Sequence, residues 1–201
     1  MTVFDPLEAA PPEAAEQPER RRLSERQAEV MERLVAAAAE EAEARTYADI
    51  SVRTIAKRAG VAPATAYTYF SGKDHLLAEV LWRRAQSSPP LVDLSLSLPE
   101  RVADTARTMG FAAMGAPAVA ACTTALLGDG PDVKRVRERL GAEIGRRLAA
   151  ALGRGADPAM LGVLQVTYTG ALLSAGMGHL SFDAVPVLMG EATALMTGDD
   201  R

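Results

Sequence analysis

The chain has 201 residues, with 22 Lys and Arg against 26 Asp and Glu, a net charge of −4, 48% apolar residues and 4% aromatics. That length suits one or two domains and can bury a core. No apolar run reaches the roughly 18 residues of a membrane-spanning helix, so no membrane partner is expected. The single Cys122 excludes an intrachain disulfide framework, and with His75 and His179 far apart neither a metal site nor a cofactor is expected. The acidic, Pro-rich N-terminus lacks the pattern of a signal peptide, so a cytoplasmic location is expected. Ala, Leu, Arg and Glu dominate and β-branched runs are few, which predicts an all-α protein.

Residues 1–22 read as a disordered tail that closes on Arg20, Arg21 and Arg22. That run is either a basic arm for a DNA groove or a solvated cluster. Ser24-Glu25-Arg26-Gln27 has the form of a capping box. It predicts a helix that starts there, carries Met31, Leu34, Val35, Ala38 and Ala42 on one face, and ends near Arg45. A short helix follows, with Ser51 as N-cap and Val52, Ile55, Ala56 and Ala59 inward. Gly60 suits a left-handed C-terminal cap, and Val61 supplies its apolar contact. Pro63 fits the first position of the next helix, which runs to Phe70. Two short helices about a tight Ala59-Gly60-Val61 turn are the outline of a helix-turn-helix. A further helix restarts at Ser71-Gly72-Lys73-Asp74 and carries Leu76, Leu77, Val80, Leu81 and Trp82, which completes a domain over 23–85.

Residues 86–98 read as a linker rich in Pro and Ser. Beyond it, 99–198 reads as a second helical domain with helices at 100–115, 117–127, 132–152, 158–179 and 183–197. Asp157-Pro158 is a clear start signal. Gly162, Val166, Gly170, Ser174 and Gly178 recur every four residues, which lets another helix approach closely, from the same chain or from a second copy. No nucleophile–base pair and no glycine-rich phosphate loop is visible, so an enzyme is not expected.

Segment 51–84 holds six basic residues against two acidic, a local surplus of +4 in an acidic chain. On a helix-turn-helix outline this is the footprint of phosphate binding. The second helix of such a motif enters the major groove, which makes Pro63, Ala64, Thr65 and Thr68 the candidate base-reading residues. The threonine hydroxyls can hydrogen-bond base edges, and their methyls can meet a thymine methyl. That helix carries no Arg or Asn for bidentate reading, so DNA shape is expected to contribute. Ser51, Arg53 and Thr54 lie where the first helix would meet the backbone.

The run SVRTIAKRAGVAPATAYTYFSGKDHLLAEVL resembles the DNA-binding domain of the TetR family of bacterial transcriptional repressors, over roughly residues 24–84. Ile55-Ala56, Ala59-Gly60-Val61, Tyr67, Tyr69-Phe70, Lys73 and Leu76-Leu77 stand in register with it. Two positions depart. Arg45-Thr46-Tyr47 replaces the usual Gly after the first long helix, and Ala62 replaces the Ser that usually opens the recognition helix. The resemblance implies phosphate contacts from Tyr67, Tyr69 and Lys73. It implies a homodimer joined through a four-helix bundle of the last two helices of each chain, bound to a palindromic double-stranded DNA operator. It also implies a small-molecule effector held in the C-terminal domain, with Met109, Phe111, Met114, Cys122, Leu126, Ile144, Leu164 and Tyr168 as candidate lining. Such an apolar pocket suits a lipophilic ligand that releases the repressor from DNA. The alternative is a helical adaptor that keeps a degenerate DNA-binding domain and acts through protein partners.

Overall fold

The computed structural model describes residues 13–87, 92–109 and 114–198, with side chains from Ser24 onward. Among the described residues there are nine α-helices and no strand, as the composition implies. They are α1 (Glu13–Ala44), α2 (Val52–Arg58), α3 (Pro63–Tyr69), α4 (Lys73–Ser87), α5 (Leu98–Thr108), α6 (Ala116–Ala125), α7 (Pro131–Leu152), α8 (Pro158–Gly176) and α9 (Ala184–Thr197). A 3-10 turn, Tyr47–Asp49, joins α1 to α2.

The N-terminal three-helix core is built on Leu34, Val35, Ala38, Ile55, Ala56, Ala66 and Phe70, closed by Leu76, Leu77 and Val80 of α4. It continues without a break into the C-terminal domain, because α4 packs on α6 and α7 and α1 packs on α6. In that domain α5 lies along α9. Gly190 makes the close approach possible, since a Cβ there would sit 3.3 Å from both Pro99 O and Ala103 Cβ.

Several boundaries differ from the sequence reading. Helix α1 begins at Glu13, so residues 13–22 are helical rather than part of a disordered tail, and Ser24 is interior rather than a cap. Good helix formers on both sides of Ser24 outcompete its capping tendency. The side chains of Arg20, Arg21 and Arg22 lie outside the described residues. Helix α5 starts earlier than expected, on a capping box between Ser97 and Glu100, and stops at Thr108 rather than 115. Thr108 Oγ1 donates to the carbonyls of Asp104 (3.0 Å) and Thr105 (3.2 Å), a local competitor to the next turn. Helix α8 stops at Gly176, where His179 N bonds Ser174 O (2.9 Å) and Gly178 N bonds Ala175 O (3.0 Å) with Gly178 at φ +79°. Gly178 therefore serves as the left-handed terminator and not as another step of the small-residue row.

The membrane expectation also needs correction. Helix α8 is long and apolar enough to cross a membrane by length and composition, with mean hydropathy 1.3. Gln165, Thr167, Thr169 and Ser174 interrupt the unbroken apolar run that the sequence reading sought. Only 22% of that window is buried in the single chain, so α8 presents apolar surface outward.

Candidate nucleic-acid interface and C-terminal cavity

The reading module is held at both turns. Ser51 Oγ accepts from Thr54 N (3.1 Å) while Thr54 Oγ1 accepts from Ser51 N (3.1 Å) and donates to Ser51 O (2.8 Å), a reciprocal cap on α2. The Thr54 hydroxyl is thereby committed to the fold, which leaves its methyl for an outside partner. At the other end Val61 N bonds Ala56 O (3.0 Å) and Gly60 N bonds Lys57 O (3.2 Å), with Gly60 at φ +68°. This Schellman closure aims the chain into α3, as the Gly60-Val61 pair predicts. Ala62 opens α3 without a side-chain cap, as expected, and Pro63 takes the first helical position.

On α3 only Ala66 is buried. Pro63, Ala64, Tyr67 and Thr68 are exposed, Tyr67 at 58%, while Thr65 and Tyr69 are half-buried. Thr68 Oγ1 donates to Ala64 O (3.2 Å), so toward solvent it can act only as an acceptor unless that bond breaks. Phe70 is buried at the C-cap and meets the half-buried His75 ring edge-on at 5.1 Å. Burial lowers the His75 pKa against the opposing pull of Asp132 and Glu79.

Lys73 stands at the start of α4. Its ammonium donates to Tyr47 O (2.9 Å) and lies 4.0 Å from the centre of the Tyr47 ring. The Tyr47 hydroxyl donates to Asp74 Oδ1 (2.6 Å), and burial together with that carboxylate pushes the phenol up to about 12. The phenol therefore stays a neutral donor. Tyr47 positions the Lys73 ammonium, a role that its place in the Arg45-Thr46-Tyr47 departure from the family's usual glycine does not signal.

The charge surplus of 51–84 is smaller than a segment count implies. Arg58 pairs with Glu41 (2.6 Å) and Glu40 (3.1 Å), and Arg83 pairs with Glu32 and with Glu79 (3.4 Å). Counted over 24–84 the domain has nine basic and nine acidic residues. Its positive character is concentrated rather than abundant. Arg53 and Lys57 are exposed and make no ion pair among the described residues, and they share the module with Lys73.

The C-terminal domain holds a partly open cavity of about 680 Å³. Its walls include Ala106 and Arg107 of α5, Met114, Tyr168 and Leu172 of α8, the α8–α9 turn at Leu180 and Phe182, and Val185 of α9. Of the residues expected to line a pocket, Met114 and Tyr168 do so. Met109, Cys122, Ile144 and Leu164 are buried in the core away from this cavity, and Leu126 packs beside Trp82. Phe111 lies outside the described residues. Periodicity picks out buried apolar residues but not which of them face empty space, and it passes over loop residues such as Phe182. Burial pushes the Tyr168 phenol well above its ordinary range.

The outer side of α8 forms a shallow groove of Gly162, Gln165, Val166, Thr169, Gly170 and Leu173. Val166 is 75% exposed, and Val163 on α8 and Val187 and Leu195 on α9 are exposed as well. Ser174 is half-buried.

A capped two-helix reading module joined to a helical domain with a cavity defines a helix-turn-helix transcriptional regulator. Residues 34–80 match the family model of bacterial regulatory proteins, tetR family. An uncharacterized HTH-type transcriptional regulator of Mycobacterium tuberculosis is 41% identical over 174 residues, covering 85% of this chain and 82% of the relative. One from Mycobacterium bovis matches to the same extent. Among solved structures, a TetR transcriptional regulator from Rhodococcus sp. RHA1 shares the fold, with a TM-score of 0.66 at 22% identity over 88% of this chain and 99% of that one. A tetR-family transcriptional regulator from Streptomyces coelicolor gives 0.59 at 18% identity over 85% of this chain and 81% of that one. The chain belongs to the TetR family of bacterial regulatory proteins. It is a transcriptional regulator with a helix-turn-helix DNA-binding domain, not an enzyme.

Proposed function

We propose that this regulator is a cytoplasmic repressor that binds a palindromic operator as a homodimer and leaves it when a lipophilic effector fills the C-terminal cavity. The observation that carries this reading is the two-sidedness of α8. Its inner side, Tyr168, Leu172 and Ala175, walls the cavity, while its outer side offers Gly162, Val166 and Gly170 to a second copy. One helix thus joins ligand to dimer. Pro63, Ala64, Thr65 and Thr68 read bases, and Arg53, Tyr67, Tyr69 and Lys73 hold phosphates. Ser51 and Thr54 set the α2 end of that surface. The cavity wall joins apolar Met114, Leu172, Phe182 and Val185 to polar Arg107, Ser181 and Asp183, which suits a ligand with an apolar body and a polar end.

Selection from a random duplex pool with the purified protein tests the reading. An enriched palindrome with half-site centres about 34–36 Å apart is expected. Failure to enrich any duplex refutes it and favours an adaptor that acts through protein partners, for which the small residues Ala62 and Ala64 are the supporting feature.

A further inference from the structure

The C-terminal end of α4 meets a buried cation from another domain. Arg147 of α7 is 3% exposed, and its guanidinium donates to the carbonyl of Ala85 and, through Nε, to Glu143 Oε1 at 2.6 Å. In a continuing helix the Ala85 carbonyl would accept from the N–H of residue 89. Residue 89 is proline, which has no N–H to give. The last carbonyls of a helix also carry partial negative charge. Ala85 therefore needs an outside donor, best a cation, and Arg147 supplies it. The preceding carbonyl, Arg84 O, is served locally by Ser87 Oγ (3.0 Å), so the Ala85 bond is the one that crosses between domains.

Arg147 is the most buried charge among the ties of α4 to α7; Arg139 also lies 4.3 Å over the Trp82 ring, and α6 packs against α1 and α4. Helices α4 and α7 run in the same direction, with His75 facing Asp132 (3.8 Å), Glu79 facing Arg139 (3.8 Å) and Ala85 facing Arg147. Between these ties the contact is Ala78 against Val133 and Val136, flanked by Trp82 and Leu126. Small apolar side chains tolerate sliding, whereas a buried hydrogen-bonded charge admits one arrangement. The Glu79–Arg139 tie is half in water, with Arg139 50% exposed, and exposed pairs hold geometry weakly.

We propose that Arg147 is a positioning residue: by capping α4 from α7, it fixes the direction of α4, and with it the α2–α3 reading module, against the C-terminal domain. In a dimer joined through α8 and α9, the direction of α4 in each chain sets the separation of the two α3 helices. Arg147 thereby narrows the half-site spacings the dimer accepts, a consequence that rests on the operator-binding reading above.

Arg147→Met tests this while leaving Glu143 paired with Arg146, whose Nη2 lies 2.6 Å from Glu143 Oε1. Nitroxide labels at Ala64→Cys on α3 and Ala150→Cys on α7, in a Cys122→Ala background, report the module's position within one chain. Labelled chains are diluted into unlabelled ones so that only the intrachain distance is read by pulsed electron resonance. A single narrow distance is expected for the parent, a broadened or split one for Arg147→Met, and recovery with Arg147→Lys. An unbroadened distance in folded Arg147→Met overturns the proposal, and so does a lowered melting temperature with the single distance retained. If Arg147→Met fails to fold, Arg147→Gln against Arg147→Lys decides in the same way. Duplex selection separates the two claims. A parent that enriches one spacing and a variant that enriches several support both. A parent that enriches nothing overturns the operator reading while the distance measurement still judges Arg147. Equal spacings despite a broadened distance overturn the consequence for spacing.

Discussion

Substituting Gly170 by alanine separates a solvent-facing α8 from one that is a dimer seam. In the single chain a Cβ at Gly170, or at Gly162 one groove-length away, meets nothing within 4 Å. Both residues are helical and lie in the shallow groove beside Val166. If that groove faced water, Gly170→Ala would only add helix propensity, about 0.8–1 kcal/mol per chain. If a second copy packs there, the new methyl comes from both chains and must be fitted into a close-packed seam, at a cost of about 1–3 kcal/mol. The propensity gain is the same in monomer and dimer, so it cancels from the dissociation constant, which reads the seam alone. At about 1.4 kcal/mol per tenfold, the expected weakening is roughly 5- to 150-fold. Sedimentation equilibrium over a dilution series measures it, and the melting temperature of the variant should become more concentration-dependent than the parent's. A dissociation constant that stays the same or falls refutes the placement of the dimer face on this groove.

Three other expectations follow from single sites. Ala62→Ser adds the missing cap to α3, so the melting temperature should rise by roughly 2–4 °C, for about 1 kcal/mol, and operator affinity should increase; a melt without the rise would deny that α3 lacks a cap in solution. Burial pushes the Cys122 thiol up to about 12, so an aromatic disulfide reagent at about pH 8 should react with it only after unfolding, and prompt reaction of the native protein would contradict its burial. Burial by itself would raise the Glu41 carboxyl, but Arg58 and Arg45 hold it below its ordinary 4.5. Its contribution is therefore full above that value and is lost as pH falls through the lower folded value, so Glu41→Gln should flatten the acid limb of a melting-temperature profile below pH 4.5.

The elements that the sequence made legible are those whose signal is local. Ser51 as a cap, Gly60 with Val61, and Asp157 with Pro158 each specify a helix end by local chemistry, and each forms as expected; the reply of Thr54 to Ser51 is an addition of the structure. Ser24 misled because a capping residue acts only where the preceding segment does not favour helix. Ser97 with Glu100 carried the same local signal but sat inside a Pro- and Ser-rich run that reads as linker. The cavity was legible only at Met114 and Tyr168, because a void is a property of how five elements fail to meet, and no single helix period encodes it. The ties of Lys73 to Tyr47 and of Arg147 to Ala85 span 26 and 62 residues. Such pairings follow from the packed fold and leave no mark in spacing.

The neutralised charge of the reading domain also fixes what its salt dependence should be. Arg58 and Arg83 are held by carboxylates of α1 and α4, so they are poor candidates for displacing counterions. Apart from Arg84 at the far end of α4, Arg53, Lys57 and Lys73 remain for phosphate, three in each chain and six in a dimer. At about −0.9 per neutralised phosphate, the logarithm of operator affinity should fall with the logarithm of salt at a slope near −5. Lys73→Ala should lower affinity for every sequence alike and bring that slope down in magnitude by about 1 for each chain. An unchanged slope would mean that the ammonium remains on the Tyr47 carbonyl in the complex and serves the fold alone. A parent slope near −10, by contrast, would require roughly five further cations. Those would have to come from outside the α2–α3 module, where Arg20, Arg21 and Arg22 at the N-terminal side of α1 stand beside Arg26, Arg33 and Arg84 as the cations to test.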